Sequence, residues 1–173
     1  MALRTILTDG DPALHKACRP VTNFDQRLHD LLDDLKETLA NANGAGLAAP
    51  QVGILRRAVV VVDAEDNMLE LVNPEIISQE GEQEGFEGCL SVPGRWGVVK
   101  RPMKVRVRAQ DRDGNFFEAE GEEIVARCFC HEIEHLDGHL YTEHIDRFLT
   151  DEELEAYYRE QGYEMPDGED EAE

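Results

Sequence analysis

The stretch CHEIEHLDGHLY, residues 130–141, places His131 and His135 four positions apart with Glu132 between them. It continues a segment, residues 123–137, in which the spacing of the apolar residues changes to that of a helix. Side chains four positions apart lie on the same face of a helix, within reach of one tetrahedral metal ion. The intervening glutamate can reach a water molecule held by that ion. The pattern therefore predicts a helix that carries a metal site, with a plain acidic helix that happens to contain histidines as the alternative.

The third ligand of such a site is not given by the helix itself. In one class of metalloproteases it is a histidine in the pattern HExxHxxGxxH, and here Gly138 matches the glycine while Tyr141 stands in place of the histidine. His139 falls on the wrong side of the helix, and His144 would need a sharp turn to approach it. Neither histidine is expected to bind the metal.

Cys89 is the candidate for the third ligand. It lies in EGCLSVPG, residues 87–94, between a glycine and a loop that contains proline. A thiolate with two imidazoles gives three protein ligands and leaves one position open, as catalytic sites do. A hairpin could bring this segment to the helix. The alternative is a buried core cysteine, which is the commoner fate of a single cysteine.

Two further helices are predicted on either side of a strand-rich centre. Over residues 25–42 leucines recur at helical spacing opposite charged residues, which indicates an amphipathic helix. It ends before residues 43–53, NGAGLAAPQVG, where glycines permit unusual backbone angles and Pro50 prevents continuation of the helix. Thr150 and Glu153 form a capping box for a short helix near the C-terminus.

Strands are predicted over residues 57–64, 68–78 and 104–122. The last segment alternates valine with arginine, and its Asp113-Gly114 pair suits a tight hairpin turn. This order of elements predicts the α+β class, with antiparallel or mixed sheets packed around a central metal-binding helix.

Composition limits the functions that the chain can have. Its 173 residues suit one domain with a sizeable core, which we assign to residues 1–162, followed by an acidic, disordered tail over residues 163–173. The net charge of −21 disfavours nucleic acid and anionic lipid as partners. The chain has no apolar run near the roughly 20 residues that span a bilayer, and its first residues lack a signal-peptide pattern. We therefore expect a cytoplasmic protein without a membrane partner.

The cysteines give a consistent indication. Without secretory context, four cysteines are more typical of thiols or metal ligands than of disulfides. Cys89 is the expected ligand, and Cys128 and Cys130 are interpreted as buried packing residues.

Three motifs in this order resemble one family. GAGLAAPQVG at residues 44–53, EGCLSVP at residues 87–93 and HEIEH at residues 131–135 have the order and spacing of peptide deformylases. The resemblance covers residues 1–149, and the combination is highly specific. It implies a hydrolase acting on a linear amide, which removes formyl from the N-terminal formyl-methionine of new polypeptides and releases formate.

The resemblance also implies roles for the motif residues. Cys89, His131 and His135 would hold one divalent metal ion per chain, Fe(II) natively, with zinc, nickel or cobalt as substitutes. A water molecule on that metal would attack the formyl carbon, with Glu132 as general acid and base. The side chain of Gln51 and the backbone N–H of residue 90 would stabilise the oxyanion.

The expected substrate contacts follow from the same resemblance. The backbone of Gly46 would meet the formylated amine, and apolar side chains would line a pocket for methionine, although core packing is the alternative for each of them. The alternative interpretation of Gln51 is a polar residue at the surface of a glycine loop. The residues assigned to substrate binding are Gly44, Gly46, Leu47, Phe86, Glu87, Ile124 and Cys128. The residue whose backbone N–H is assigned to the oxyanion is Leu90.

Two places depart from the family pattern. After CLSVPG the chain reads RWG, so Arg95 and Trp96 stand on either side of the place where the family often has an arginine. Arg127 stands where many relatives have an apolar residue that lines the pocket, and we interpret it as forming an outward salt bridge.

Other functions stay open at the level of sequence. An HExxH metallopeptidase could use a downstream glutamate, Glu143, Glu152 or Glu153, as its third ligand. A non-catalytic module of the same fold could bind formylated or free N-termini, but it would be expected to lose a ligand, Glu132 or Gln51. The expected partners are N-formyl-methionyl nascent polypeptides, with transient proximity to the ribosome and no direct binding of nucleic acid.

Overall fold

The computed structural model describes residues 2–160. The predicted tail at residues 163–173 lies outside the described residues. The α helices are α1 (Gln26–Ala42), α2 (Ile124–Leu136) and α3 (Asp151–Glu160). The strands are β1 (Gly46–Ala48), β2 (Ala58–Val62), β3 (Met68–Glu80), β4 (Gln83–Cys89), β5 (Val92–Arg101), β6 (Lys104–Gln110) and β7 (Phe116–Glu122).

The predicted amphipathic helix is confirmed as α1. The Asp25 carboxylate caps its start by accepting a hydrogen bond from the Leu28 backbone N–H at 3.2 Å. Its leucines face inward, with Leu32, Leu35 and Leu39 fully buried. Burying each such side chain stabilises the fold by about 1.5–3 kcal/mol. The face of α1 that leucine spacing predicted is therefore the face that packs against the sheet.

A five-stranded antiparallel sheet forms the centre, in the order β1-β2-β3-β6-β7. Its β6–β7 hairpin turns at Asp113 and Gly114, as predicted, and Gly114 has the positive φ of 87° that glycine adopts without strain. The helices and antiparallel sheets confirm the α+β class.

A hairpin was considered as the way to bring Cys89 to the helix, but no strands were predicted for the segment that forms β4 and β5. β4 ends at Cys89, β5 begins at Val92, and Leu90 and Ser91 form the turn between them. The strands were missed because β4 and β5 contain several glycines and few β-branched residues. The hairpin forms its own two-stranded sheet and carries Cys89 at its tip.

α2 lies inside the molecule. Its apolar side chains, including Phe129 and Leu136, pack against Val59, Val105 and other inward-facing residues of the large sheet. Gly121 allows this close approach, since a Cβ there would lie 2.5 Å from a methyl carbon of Val125. A helix that is buried along so much of its surface can hold polar side chains away from water. Within residues 2–160, no helix has the length and apolar character to cross a bilayer.

α3 begins as the sequence predicted. The Thr150 N–H donates to the Glu153 carboxylate and the Glu153 N–H donates to the Thr150 hydroxyl, both at 3.2 Å. This is the reciprocal pattern of a capping box. None of the side chains of α3 is fully buried, so the helix lies on the surface.

Candidate metal centre

The structure brings the three predicted ligand side chains together. Ligand atoms of Cys89, His131 and His135 all lie within 4.8 Å of one another. The Nε2 atom of His135 is 3.4 Å from the Cys89 sulfur and 3.2 Å from Nε2 of His131. The β4–β5 hairpin supplies the sulfur, and consecutive turns of α2 supply the nitrogens. A thiolate and two imidazoles converging in this way are a donor set that fits a divalent transition metal.

Glu87 orients one of these histidines. Its Oε1 atom lies 2.6 Å from Nδ1 of His131. A proton on Nδ1 leaves Nε2 as the nitrogen that faces the cluster, which is the usual role of a carboxylate behind a metal-binding histidine. Nδ1 of His135, by contrast, is buried without a hydrogen-bond partner in the described part of the chain.

Two arginines hold Glu87 in place. Arg101 donates to both carboxylate oxygens, from Nη2 at 2.7 Å and from Nε at 3.1 Å, and Arg127 donates from Nη1 at 2.9 Å. Burial would raise the pKa of Glu87, but the hydrogen bonds from His131 and Arg101 outweigh it and hold the pKa well below its usual range. The carboxylate is therefore ionised and fully engaged.

The two histidines have opposite pKa shifts. Burial lowers the pKa of His135 well below its usual value, and the neighbouring His131 lowers it further. Burial also opposes charge on His131, but hydrogen bonds with Cys89 and Glu87 raise its pKa well above the usual value. The surroundings of His131 thus favour its protonated form, whereas burial favours the neutral form of His135.

Glu132 lies beside the cluster with an unused oxygen. The residue is 4% exposed, and its Oε2 atom is buried with no hydrogen-bond partner within residues 2–160. Burial raises the pKa of Glu132 to about 7. The charge of His131 acts to lower this pKa, and the negative charge of Glu87 acts to raise it. A carboxyl group with a pKa near neutrality can both accept and donate a proton.

Gly46 makes room for this carboxyl group. A Cβ at position 46 would lie 2.7 Å from Oε1 of Glu132. Gly46 begins β1 and does not have a positive φ, so the backbone conformation itself does not require glycine. The close approach to Glu132 is the structural reason for glycine at this position.

Gln51 is buried and its amide group is oriented. Its Oε1 atom accepts a hydrogen bond from the Ala48 N–H at 2.9 Å, which directs the NH₂ group to the other side. Nε2 then donates to the Ser91 hydroxyl at 3.1 Å and lies 3.5 Å from the Cys89 sulfur. The structure thus gives Gln51 a buried place beside the cluster, and not that of a surface residue.

A cleft of about 750 Å³ opens onto the cluster. Most of the residues assigned to substrate binding line this cleft. These are Gly44, Gly46, Phe86, Glu87, Ile124 and Cys128, and Gln51, Leu90, Arg95 and Trp96 line it as well. Leu47 differs, because it is fully buried in the core beside α1. A second cavity, of about 480 Å³ beside the start of α1, contains none of these residues.

Arg127 was interpreted as forming an outward salt bridge, and this was wrong. The residue is only 8% exposed, it lines the cleft, and it pairs inward with Glu87. The buried carboxylate attracts the guanidinium group into the interior, where an unpaired Glu87 charge would be costly.

The other histidines near the motif lie apart from the cluster. His139 pairs with Glu143 at 3.0 Å on the surface, and His144 pairs with Glu134 at 3.0 Å. Tyr141, at the position of the metalloprotease histidine, is buried and donates its hydroxyl hydrogen to the carbonyl oxygen of residue 95 at 3.1 Å. Of the residues that the structure describes, only Cys89, His131 and His135 form a group suited to a metal.

Sequence reasoning missed two residues of this region. Arg101 contacts Glu87 from 14 positions along the chain, and no local pattern marks it. Tyr157 of α3 stacks on Phe86 with ring centroids 3.6 Å apart and lines the cleft. Its helix was predicted, but the sequence did not indicate where that helix would pack.

Comparisons with known proteins agree with this geometry. The family model described as polypeptide deformylase matches residues 3–150. A peptide deformylase from Agathobacter rectalis is 55% identical over 87% of this chain and 95% of its own length. The one from Caldicellulosiruptor bescii is 56% identical over 90% of this chain and 93% of its own.

Solved structures give the same result. The crystal structure of a peptide deformylase from Legionella pneumophila is 40% identical with a TM-score of 0.80, over 95% of this chain and 100% of that one. That of the Thermotoga maritima enzyme is 36% identical with a TM-score of 0.81, over 85% and 100% of the two chains.

Proposed function

The chain belongs to the polypeptide deformylase family, and from this premise we propose that it removes the formyl group from the N-terminal formyl-methionine of new polypeptides. The products are formate and a free N-terminal amine. The observation that carries the proposal is Oε2 of Glu132, which has no hydrogen-bond partner among residues 2–160 and lies beside Cys89, His131 and His135 in one cleft.

The three ligands would hold a divalent metal ion. Such an ion is a Lewis acid, and it would make a water molecule nucleophilic near neutral pH. Glu132 accepts the proton of the attacking water at Oε2 and returns it to the departing amine. Its pKa of about 7 suits both transfers. One buried carboxyl group thus serves as base and then as acid.

Gln51 acts on the oxygen that becomes negative during the attack. Its Nε2 hydrogens face the Cys89 side of the cleft because Oε1 is held by the Ala48 N–H. A fixed donor of this kind is typically worth about 3 kcal/mol to the transition state. The backbone N–H of Leu90, in the hairpin turn next to Cys89, is the second donor in this proposal.

The remaining cleft residues bind the substrate. The backbone of Gly46 meets the formylated amine close to Glu132. The first side chain of the substrate enters the part of the cleft formed by Phe86, Ile124 and Cys128. We propose that Glu87 contributes to substrate binding only indirectly, by orienting His131. Its carboxylate is already hydrogen-bonded to Arg101, Arg127 and His131.

The metal is proposed to be Fe(II) in the native enzyme. A mixed thiolate and imidazole set also suits zinc, nickel and cobalt, so metal supply and purification in air would decide what is found. Metal analysis of anaerobically purified protein tests this, and a chain loaded mainly with zinc under those conditions would contradict it.

The substrate also suggests where the enzyme works. Formylated chains arise during translation, so we propose action in the cytoplasm on nascent polypeptides, in transient proximity to the ribosome. The net charge of −21 gives no support for stable docking on RNA.

A formate-release assay on formyl-Met-Ala-Ser tests the function. We expect formate, with the internal peptide bonds left intact. Peptide fragments without formate would favour the metallopeptidase instead. Neither product, from protein with its metal bound, would favour the non-catalytic module.

The ligand set has its own test. Cys89→Ala should lower bound metal well below one per chain and abolish formate release. His139→Ala and His144→Ala serve as matched controls, because both side chains lie at the surface and contact glutamates there, away from the three ligands. Loss of metal in His144→Ala but not in Cys89→Ala would contradict the assignment.

A further inference from the structure

Arg127 is a charged side chain buried in the wall of the cleft. It lies on α2 one turn before His131, about 6 Å along the helix axis. Its Nη1 atom donates to the Glu87 carboxylate at 2.9 Å and to the Val99 carbonyl at 3.0 Å. Both hydrogens of Nη1 are used, so the guanidinium group is fixed in one orientation.

The remaining donors of Arg127 have a different environment. Among residues 2–160, nothing accepts a hydrogen bond from Nε or Nη2, yet neither atom is among the buried polar atoms that lack a partner. These hydrogens are therefore accessible, on a residue that lines the cleft. An acceptor atom placed there would gain a hydrogen bond to a charged, immobilised donor.

Gly85 packs directly against this guanidinium group. A Cβ at position 85 would lie 3.0 Å from Nη2 and 3.5 Å from Cζ of Arg127. Gly85 has no positive φ, so its backbone does not require glycine. Any side chain at position 85 would crowd the guanidinium group. Glycine at this position therefore lets β4 pass close to the guanidinium group without displacing it.

The position of Arg127 suits contact with the first side chain of the substrate. The reacting carbonyl must lie beside Glu132 and the metal ligands, and Arg127 is one helical turn from His131. A side chain that runs from the reacting centre along α2 brings its δ atom towards the guanidinium group. The thioether sulfur of methionine, at this δ position, is a weak acceptor, whereas a sulfoxide oxygen is a polar one.

We propose that Arg127 is a specificity residue, which favours formylated N-termini whose first side chain carries a hydrogen-bond acceptor at the δ position. This inference rests on the deformylase function proposed above. The pocket accepts the methionine thioether and favours methionine sulfoxide, an oxidised side chain that a wholly apolar wall would reject. Norleucine, which replaces the sulfur by a methylene group, gains nothing from Arg127.

The test compares kcat/KM for three peptides, formyl-Met-Ala-Ser and its methionine sulfoxide and norleucine counterparts. The informative quantity is the sulfoxide-to-norleucine ratio, because a ratio within one preparation does not depend on the fraction of active enzyme. We expect Arg127→Met to lower this ratio by about 10-fold or more, the usual scale for a hydrogen bond to a charged group. Arg106→Met, an exposed arginine outside the cleft, is the matched control and should leave the ratio unchanged.

A second variant keeps the pair between Arg127 and Glu87. Gly85→Ala places a methyl group 3.0 Å from Nη2, which shifts the guanidinium group and should lower the same ratio, while formate release from the norleucine peptide continues. This variant decides the matter if Arg127→Met does not fold. An unchanged ratio in the variants that fold, or an equal loss on all three peptides, would overturn the inference in favour of a purely structural arginine.

The same assay separates this inference from the function on which it rests. Formate release by the wild-type chain from all three peptides at equal kcat/KM would leave the function standing and overturn the role of Arg127. No formate from any of them, by protein with its metal bound, would overturn both.

Discussion

Glu132 is costly to the fold at the scale of the single residue. A buried carboxyl oxygen without a hydrogen bond typically lowers stability by about 1–3 kcal/mol. Gly46 leaves room for this group, although glycine gives a strand no side chain to pack. Two residues that weaken the local structure thus stand together beside the proposed metal ligands. Such a combination is expected where the chemistry requires it.

Glu132→Gln tests the proton transfer. The substitution keeps the size of the side chain and removes its proton-accepting oxygen, so bound metal should stay near one per chain. Formate release should fall by at least about 100-fold to 10,000-fold. The measurements are metal content and kcat on formyl-Met-Ala-Ser. Loss of the metal would make Glu132 a ligand, and near-normal kcat would remove it from the mechanism.

Gly46→Ala tests the close approach. The new Cβ would lie 2.7 Å from the Glu132 oxygen, so the carboxyl group must move. Because an error of about 1 Å in a catalytic group can cost about 100-fold, we expect a loss of that order in kcat/KM. Metal content and the circular dichroism spectrum should be unchanged. Normal kcat/KM would show that the carboxyl group has room to adjust.

At the scale of the element, Arg112 connects parts that are distant in the sequence. It lies in the β6–β7 turn and donates to Glu70 of β3 at 2.6 and 2.9 Å and to Asp33 of α1 at 2.8 Å. Lys36 of α1 also reaches Glu70, at 2.6 Å. Glu70 is therefore the point at which α1, β3 and the hairpin are joined on one side of the sheet.

Glu70 should make stability depend on pH. Burial would raise its pKa, but hydrogen bonds from Arg112 and Lys36 outweigh burial and lower the pKa below 4.5. A lowered folded-state pKa gives stability that is present above the unfolded value and is lost as pH falls through the folded value. Urea unfolding should show Glu70→Gln less stable than wild type by about 1–3 kcal/mol at pH 7. That difference should shrink below pH 4.5.

The control for this measurement is Glu155→Gln. Glu155 pairs with Arg159 on the exposed face of α3, and exposed pairs contribute little. The free energy of unfolding of the Glu155→Gln variant should stay close to that of wild type at pH 7 and at pH 3. A difference between Glu70→Gln and wild type that persists unchanged at pH 3 would contradict the titration of Glu70 in this range.

At the scale of the whole molecule, the proposed metal site would join separate parts of the chain. Cys89 belongs to the small β4–β5 sheet, whereas both histidines belong to the helix packed on the large sheet. A ligand that binds only the folded state stabilises it by an amount that grows with the logarithm of the free ligand concentration relative to Kd. A bound ion would therefore act as a cross-link between the two sheets.

Removing the metal should lower the melting temperature. At a free metal concentration about 100 times Kd the ion contributes about 2.7 kcal/mol, which corresponds to a shift of about 5–10 °C for a chain of this size. Differential scanning calorimetry with and without a chelator measures the shift. Cys89→Ala should show almost no chelator effect. A chelator effect as large in Cys89→Ala as in wild type would mean that the sulfur does not hold the ion.

The sequence by itself determined the features that depend on local spacing. Leucine spacing predicted α1, the Asp113-Gly114 pair predicted the β6–β7 turn, and the HEIEH segment predicted the histidine face of α2. Each of these follows from the period of a helix or from the conformational needs of a turn. The motif order also indicated the family, because those motifs are short and contiguous.

Tertiary structure alone decided the contacts between distant segments. The inward ion pair of Arg127 with Glu87, the support from Arg101 and the stacking of Tyr157 on Phe86 join residues 14 to 71 positions apart. No local period encodes such a pair, since it depends on how the β4–β5 hairpin, α2 and α3 are packed. Burial of Glu87 then makes an inward guanidinium group favourable, where the sequence alone had suggested an outward one.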